Sequence, residues 1–125
     1  MEQYEQLKEQ MNNHALREYP RECVGIITKD YSYIPCKNIS NTPKTTFFLD
    51  PADLVRHDGN IWGIFHSHPG DDNPIPSSED KVSAAFNEYK FFVGFNNKFY
   101  IYWYDQGVDA LKFERFEEKH LASNN

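Results

Sequence analysis

Cysteine, basic clusters and long apolar runs are all in short supply in this chain. Its two cysteines, Cys23 and Cys36, form no CxxC pair, which excludes a thiolate zinc knuckle and a dithiol redox centre. A disulfide framework is not expected either, and both thiols read as small buried side chains. Thirteen Lys and Arg against nineteen Asp and Glu leave a net charge of −6, and the cations are scattered. A nucleic-acid or anionic membrane surface calls for a basic face that displaces counterions, so neither partner is expected. No uncharged apolar stretch approaches the roughly 18 residues that span a bilayer. The N-terminal MEQYEQLKEQ is too polar for the apolar part of a signal peptide, and a reducing cytoplasm is the expected compartment.

What is present suffices for one core. Hydrophobic residues make up 39% of the 125 and aromatic ones 16%, which argues against disorder. The length suits a single domain over residues 1–125, with 117–125 expected to fray. Tyr4, Leu7, Met11, His14 or Ala15, and Leu16 recur at helical steps, so Glu2 to Tyr19 is predicted to be a helix that Pro20 ends. A strand over Glu22 to Thr28 turns at Lys29-Asp30 into YSYIP. After a polar stretch, Thr45 to Leu49 reads as a strand, and Asp50-Pro51 opens a short helix to about Arg56. Ile61 to Phe65, a continuous apolar run, suits a strand buried on both faces. A helix is predicted over Ser77 to Tyr89. Phe91–Phe95 and Lys98–Tyr104 form a hairpin about Asn96-Asn97, and a last strand falls near Leu111–Phe116. The fold class is therefore α/β or α+β, with helices and strands interleaved.

The segment Phe65-His66-Ser67-His68-Pro69-Gly70 is the most informative. Residues i and i+2 of a strand share a face, so His66 and His68 can aim two imidazoles at one point. Coincidence or strand-end hydrogen bonding would explain a bare His-x-His as well, but here a loop and an acid-bearing helix start follow. Ser77 is a good N-cap, and Asp80 three residues on completes a capping-box pair. That structural role is compatible with a chemical one, because the helix dipole holds an Asp in the first turn ionised. Two His and one carboxylate would leave zinc's fourth position for water, the pattern of a catalytic site. A peptidase also needs a base. Glu22, at the edge of a strand, is a candidate that spacing alone does not single out from solvated acids.

Together, Glu22, His66-Ser67-His68-Pro69 and Ser77-x-x-Asp80 resemble the signature of the JAMM metalloproteases, the catalytic MPN family. The resemblance runs from about Met11 to Trp103 and takes in the Cys-Val-Gly-Ile-Ile run and Phe-Phe-Leu-Asp-Pro. It implies one zinc ion per chain on His66, His68 and Asp80, with Glu22 as general base and acid and Ser77 as hydrogen-bond donor to the oxyanion. The implied fold is a mixed β-sheet flanked by helices, related to cytidine deaminases. Deamination itself requires H-x-E and P-C-x-x-C, and both are missing. The loop Pro69 to Pro76 is one residue longer than the family's usual spacing. Placing the extra residue in a flexible Gly70-Asp71-Asp72-Asn73 segment keeps Ser77 and Asp80 in role, in preference to Pro76 and Glu79, and lets Asp71 and Asp72 approach the site. His57 reads as a helix-end residue and His120 as tail.

The implied substrate is a protein or peptide with an extended tail, of the ubiquitin-like or sulfur-carrier kind, cut at a peptide or isopeptide bond. Small members of this type resemble bacterial processing enzymes and the N-terminal domain of tail-assembly proteins of tailed phages, towards which the Glu-Cys pair and HSHP lean. The competing function is a non-catalytic MPN-type interaction module. The oligomeric state is not legible.

Overall fold

Leu7, Met11, His14 and Ala15 form one buried stripe along α1, Glu2–Glu18, as the helical spacing predicts. Leu16, half exposed, lies off the stripe. A computed structural model describes residues 2–122. After α1 come β1 (Val24–Thr28), β2 (Tyr33–Cys36), α2 (Pro51–Arg56), β3 (Ile61–Ser67), α3 (Ser78–Ala85), β4 (Lys90–Phe95), β5 (Lys98–Asp105), β6 (Ala110–Arg115) and α4 (Lys119–Ala122).

The strands make one six-stranded mixed sheet in the order β2-β1-β3-β4-β5-β6. Neighbours are antiparallel except β3 and β4, which run parallel. A parallel pair needs a long crossover, and the loop after β3 together with α3 supplies it. The crossover therefore leaves from the C-terminal end of the central strand, where the two histidines lie. The result is the α+β, helix-flanked sheet expected from the interleaved elements.

Strand alternation sends neighbouring residues to separate cores. On the back face, α1 packs with Cys23, Ile27, Phe65, Phe92 and Ile101. On the front face, Val24, Ile26, Ile64, Phe91, Val93 and Tyr102 gather with Leu49 and with Ala84 of α3. His14 Nδ1 and Tyr33 Oη lie 2.6 Å apart inside the back core, so two buried polar groups satisfy each other. Tyr33 lies so close over Gly25 that a Cβ there would come within 2.1 Å of its hydroxyl, so the position needs glycine.

Three local expectations are corrected. Thr45–Leu49 forms no strand, only an isolated bridge between Leu49 and Asn38. The hydroxyls of Ser40, Thr42 and Thr46 bond one another, and such local bonds compete with a ladder. Helix α3 stops at Ala85, with Asn87 Nδ2 donating to the Ser83 carbonyl, because the chain must turn into β4. Beyond Glu117, where fraying was expected, α4 forms and buries Leu121. Residues 123–125 of that expected tail lie outside the described residues. Asn96 and Asn97 both take positive φ, the turn that a tight hairpin favours. Cys23 is buried and Cys36 half-buried, both as free thiols.

Candidate metal centre

The antiparallel register of β1 on β3 pairs Val24 with His66 and Gly25 with Phe65. Beyond the strand end the same offset continues: Ser67 donates its backbone N–H to the Cys23 carbonyl, and Cys23 N–H to Ser67 Oγ. One further step places Glu22 across from His68. Two residues before Val24, Glu22 also shares the front face with it. Register thus brings together residues far apart in the chain.

The third side comes from α3. Ser77 caps the helix, its Oγ accepting from Asp80 N–H at 3.1 Å, while Asp80 Oδ2 accepts from Ser77 N–H at 2.9 Å. This box fixes the Asp80 carboxylate over the end of β3. His66 Nε2 then lies 3.1 Å from Asp80 Oδ1, and His68 Nε2 lies 3.1 Å from Asp80 Oδ2. The two Nε2 atoms are 3.3 Å apart. Donors held about 2.0–2.1 Å from a tetrahedral ion sit about 3.3 Å from one another. The three contacts are near that separation, with Asp80 turning a different carboxylate oxygen towards each ring, so the three residues are close enough to share one ion.

Electrostatics favours the ligating forms of His66 and Asp80, but not that of His68. Burial lowers the His66 pKa, and the neighbouring His68 lowers it further, outweighing the hydrogen bond and charge of Asp80. A neutral imidazole is what a metal needs. Burial works against charge on His68, but the hydrogen bond and charge of Asp80, with Glu22 and Asp71, raise its pKa on balance. Burial would raise Asp80, yet the hydrogen bonds of both imidazoles hold it well below the usual carboxylate range. His66 Nδ1 is buried with no hydrogen-bond partner among the described residues, and Phe47 stacks on the ring at 4.4 Å. If Nδ1 carries the His66 proton, its Nε2 lone pair points at the other donors, a conflict that a cation in their midst would relieve.

Glu22, His68, Ser77 and Asp80 line one cleft of about 760 Å³. Glu22 is only 7% exposed. Burial pushes its carboxyl up to about 7, with His68 pulling down and Asp80 and Glu79 adding to the rise. A group near 7 can both take and return a proton at neutral pH. Asp80, and not Glu79, meets the imidazoles. Asp71 Oδ2 approaches His68 Nδ1 to 4.0 Å. The Asp72 carbonyl accepts from Lys98 Nζ, and Asn73 Oδ1 accepts from the Tyr100 hydroxyl. The loop predicted to be flexible is therefore tied to β5. His57 caps α2. His120 sits in α4 against Glu114, far in sequence from the motif.

Asn38 was not visible as a site residue in the sequence. Its amide nitrogen donates to the Glu22 and Thr46 carbonyls at 2.9 and 3.0 Å, and its oxygen accepts from Ser40 and Phe48 N–H at 3.0 Å each. Glu22 N–H donates to the Pro43 carbonyl at 2.7 Å. One side chain thus links the backbone of Glu22 to the wall that carries Phe47. In sequence it looks like any Asn of a turn-rich stretch, and Phe47 like any aromatic of a short strand.

The family model for prokaryotic homologs of the JAB domain matches residues 4–112. Tail tip assembly protein K of Escherichia phage N15 is 41% identical over 76 residues, 57% of this chain and 31% of that protein. A probable TtuB-protein conjugate cleaving protease of Thermus thermophilus is 31% identical over 90 residues, 64% of this chain and 60% of that protein. The matched region thus spans less than two thirds of either relative. The family match extends over most of the chain and includes all five residues of the motif, and the protein belongs to the prokaryotic JAB-domain homologs.

Proposed function

We propose that this protein is a zinc-dependent peptidase or isopeptidase of the JAMM type, with His66, His68 and Asp80 as metal ligands. On this reading residues 1–125 form one such domain, and its substrate is a protein that presents an extended tail. The observation that carries the proposal is the convergence of the His66, His68 and Asp80 donor atoms within 4.8 Å of one another, in a cleft that Glu22 also lines. The conjugate-cleaving relative favours a protein substrate, and the phage relative favours a role in tail assembly.

When bound, zinc would polarise the scissile carbonyl and acidify a water. Glu22 takes a proton from the attacking water and delivers it to the leaving amine nitrogen, so an amide and one water become a carboxylic acid and an amine. Its burial keeps competing solvent away from that proton. Ser77 Oγ already accepts from Asp80 N–H, which leaves its O–H to donate to the carbonyl oxygen as charge develops there. Asp80, held by the helix cap, and His66, wedged against Phe47, lose little freedom on taking up the ion.

Two measurements test the reading. Purified protein should carry one zinc per chain by elemental analysis and should cut a proteome-derived peptide library, with products read by mass spectrometry. Glu22→Gln should keep the zinc and lose the cutting. Metal-free protein without hydrolysis would instead mark a non-catalytic interaction module.

A further inference from the structure

The cleft extends well past the metal donors. Ile64 lies two residues before His66 on the same face of β3, and Phe91 of β4 is its register partner. Both are nearly buried and line the cleft, as do Leu49, Phe47 and Tyr89. Over them leans α2, which buries none of its own residues and contributes the partly buried Leu54. The front core is thus left open at this point, and its opening is continuous with the donor cluster. A residue without a side chain at this point would leave the lining in water. A large apolar side chain would cover it, and the whole cleft, metal donors included, measures about 760 Å³, within the usual range for a ligand site.

We infer that Phe47, Leu49, Leu54, Ile64 and Phe91 form a subsite for a large apolar side chain next to the scissile amide, so that the substrate class is a peptide with a Leu-, Met- or Phe-like residue there. The inference rests on the peptidase reading above. Its physical basis is continuity: whatever group is held at the donors carries its neighbouring side chain into the apolar opening. Desolvating that side chain against Ile64 and Phe91 supplies the preference.

The test uses the full chain loaded with zinc and two hydroxamates, acetohydroxamate and 3-phenylpropanoyl hydroxamate, with affinity read by calorimetry. The phenyl compound should bind at least about tenfold more tightly. Leu54→Phe, which fills the space and stays apolar, should shrink that ratio, and so should Leu54→Asp. Cleavage sites in the peptide library should carry a bulky apolar residue beside the cut bond. Equal affinities, an unchanged ratio in both variants, or cuts beside glycine would overturn the subsite while leaving the peptidase reading intact. Failure to take up zinc would overturn the reading on which it stands, and the subsite with it.

Discussion

Behind the sheet, α1 lays Leu7, Met11 and Ala15 into a core with Phe65, Phe92 and Ile101, all of them almost inaccessible. In front, α2 buries no residue and α3 buries only Asp80 and Ala84. The same strands serve both faces. In β3, Phe65 faces back while Ile64 and His66 face front. The back is closed and largely apolar, with its buried His14 and Tyr33 satisfying each other, so it can set the geometry of the strands. The front can then hold buried polar groups and an open cleft that add little to stability. Asp80 and Glu22 on that face are polar groups less than a tenth exposed, an arrangement that costs stability unless each is partnered.

That division can be broken from either side. The largest effect should come from Glu22→Gln, with hydrolysis falling about 10²–10⁴-fold and zinc content unchanged, as read by product formation and elemental analysis. On the back, Phe65→Ala should cost about 3–5 kcal/mol in denaturant unfolding, while the protein that remains folded keeps one zinc. Loss of the metal there would mean the faces are not separable. Ser77→Ala touches both roles of one residue. It should lower the rate about 10²–10³-fold and stability by about 1 kcal/mol through the lost cap.

The smallest effect concerns pH. In metal-free protein Glu22 sits near 7 against an ordinary value of 4.5, so the folded state binds more protons than the unfolded one between those values. Stability should therefore fall as pH rises from about 4.5 to 7, by about 1–3 kcal/mol from this group. Glu22→Gln should remove that part of the slope and make the metal-free protein more stable than wild type at pH 8. Thermal unfolding of both proteins across this range measures the difference.

Much of the front face was legible because its chemistry is local. The pairing of His66 with His68 follows from strand alternation, and the capping of Asp80 by Ser77 follows from helix-end chemistry. Neither needs the rest of the fold. The hairpin at Asn96-Asn97 and the helix opened by Pro51 were readable for the same reason. Glu22 was not legible from spacing, since its place opposite His68 depends on the β1–β3 register, and only the family signature singled it out. The segment 45–49 read as a strand because Thr, Phe and Leu favour one. Its neighbours decided otherwise, when Asn38 took the Thr46 carbonyl and the Phe48 N–H. The length of α3 was overestimated because nothing in Phe86 to Tyr89 announces that β4 begins at Lys90.

The account turns on whether one cation belongs at the meeting of β3 and α3. Crystals grown with zinc and measured on both sides of its absorption edge answer this directly. A single anomalous peak bonded to His66 Nε2, His68 Nε2 and the Asp80 carboxylate at about 2.0–2.2 Å is the predicted result. A peak held by other residues, or an empty difference map at this junction in the presence of zinc, would contradict it.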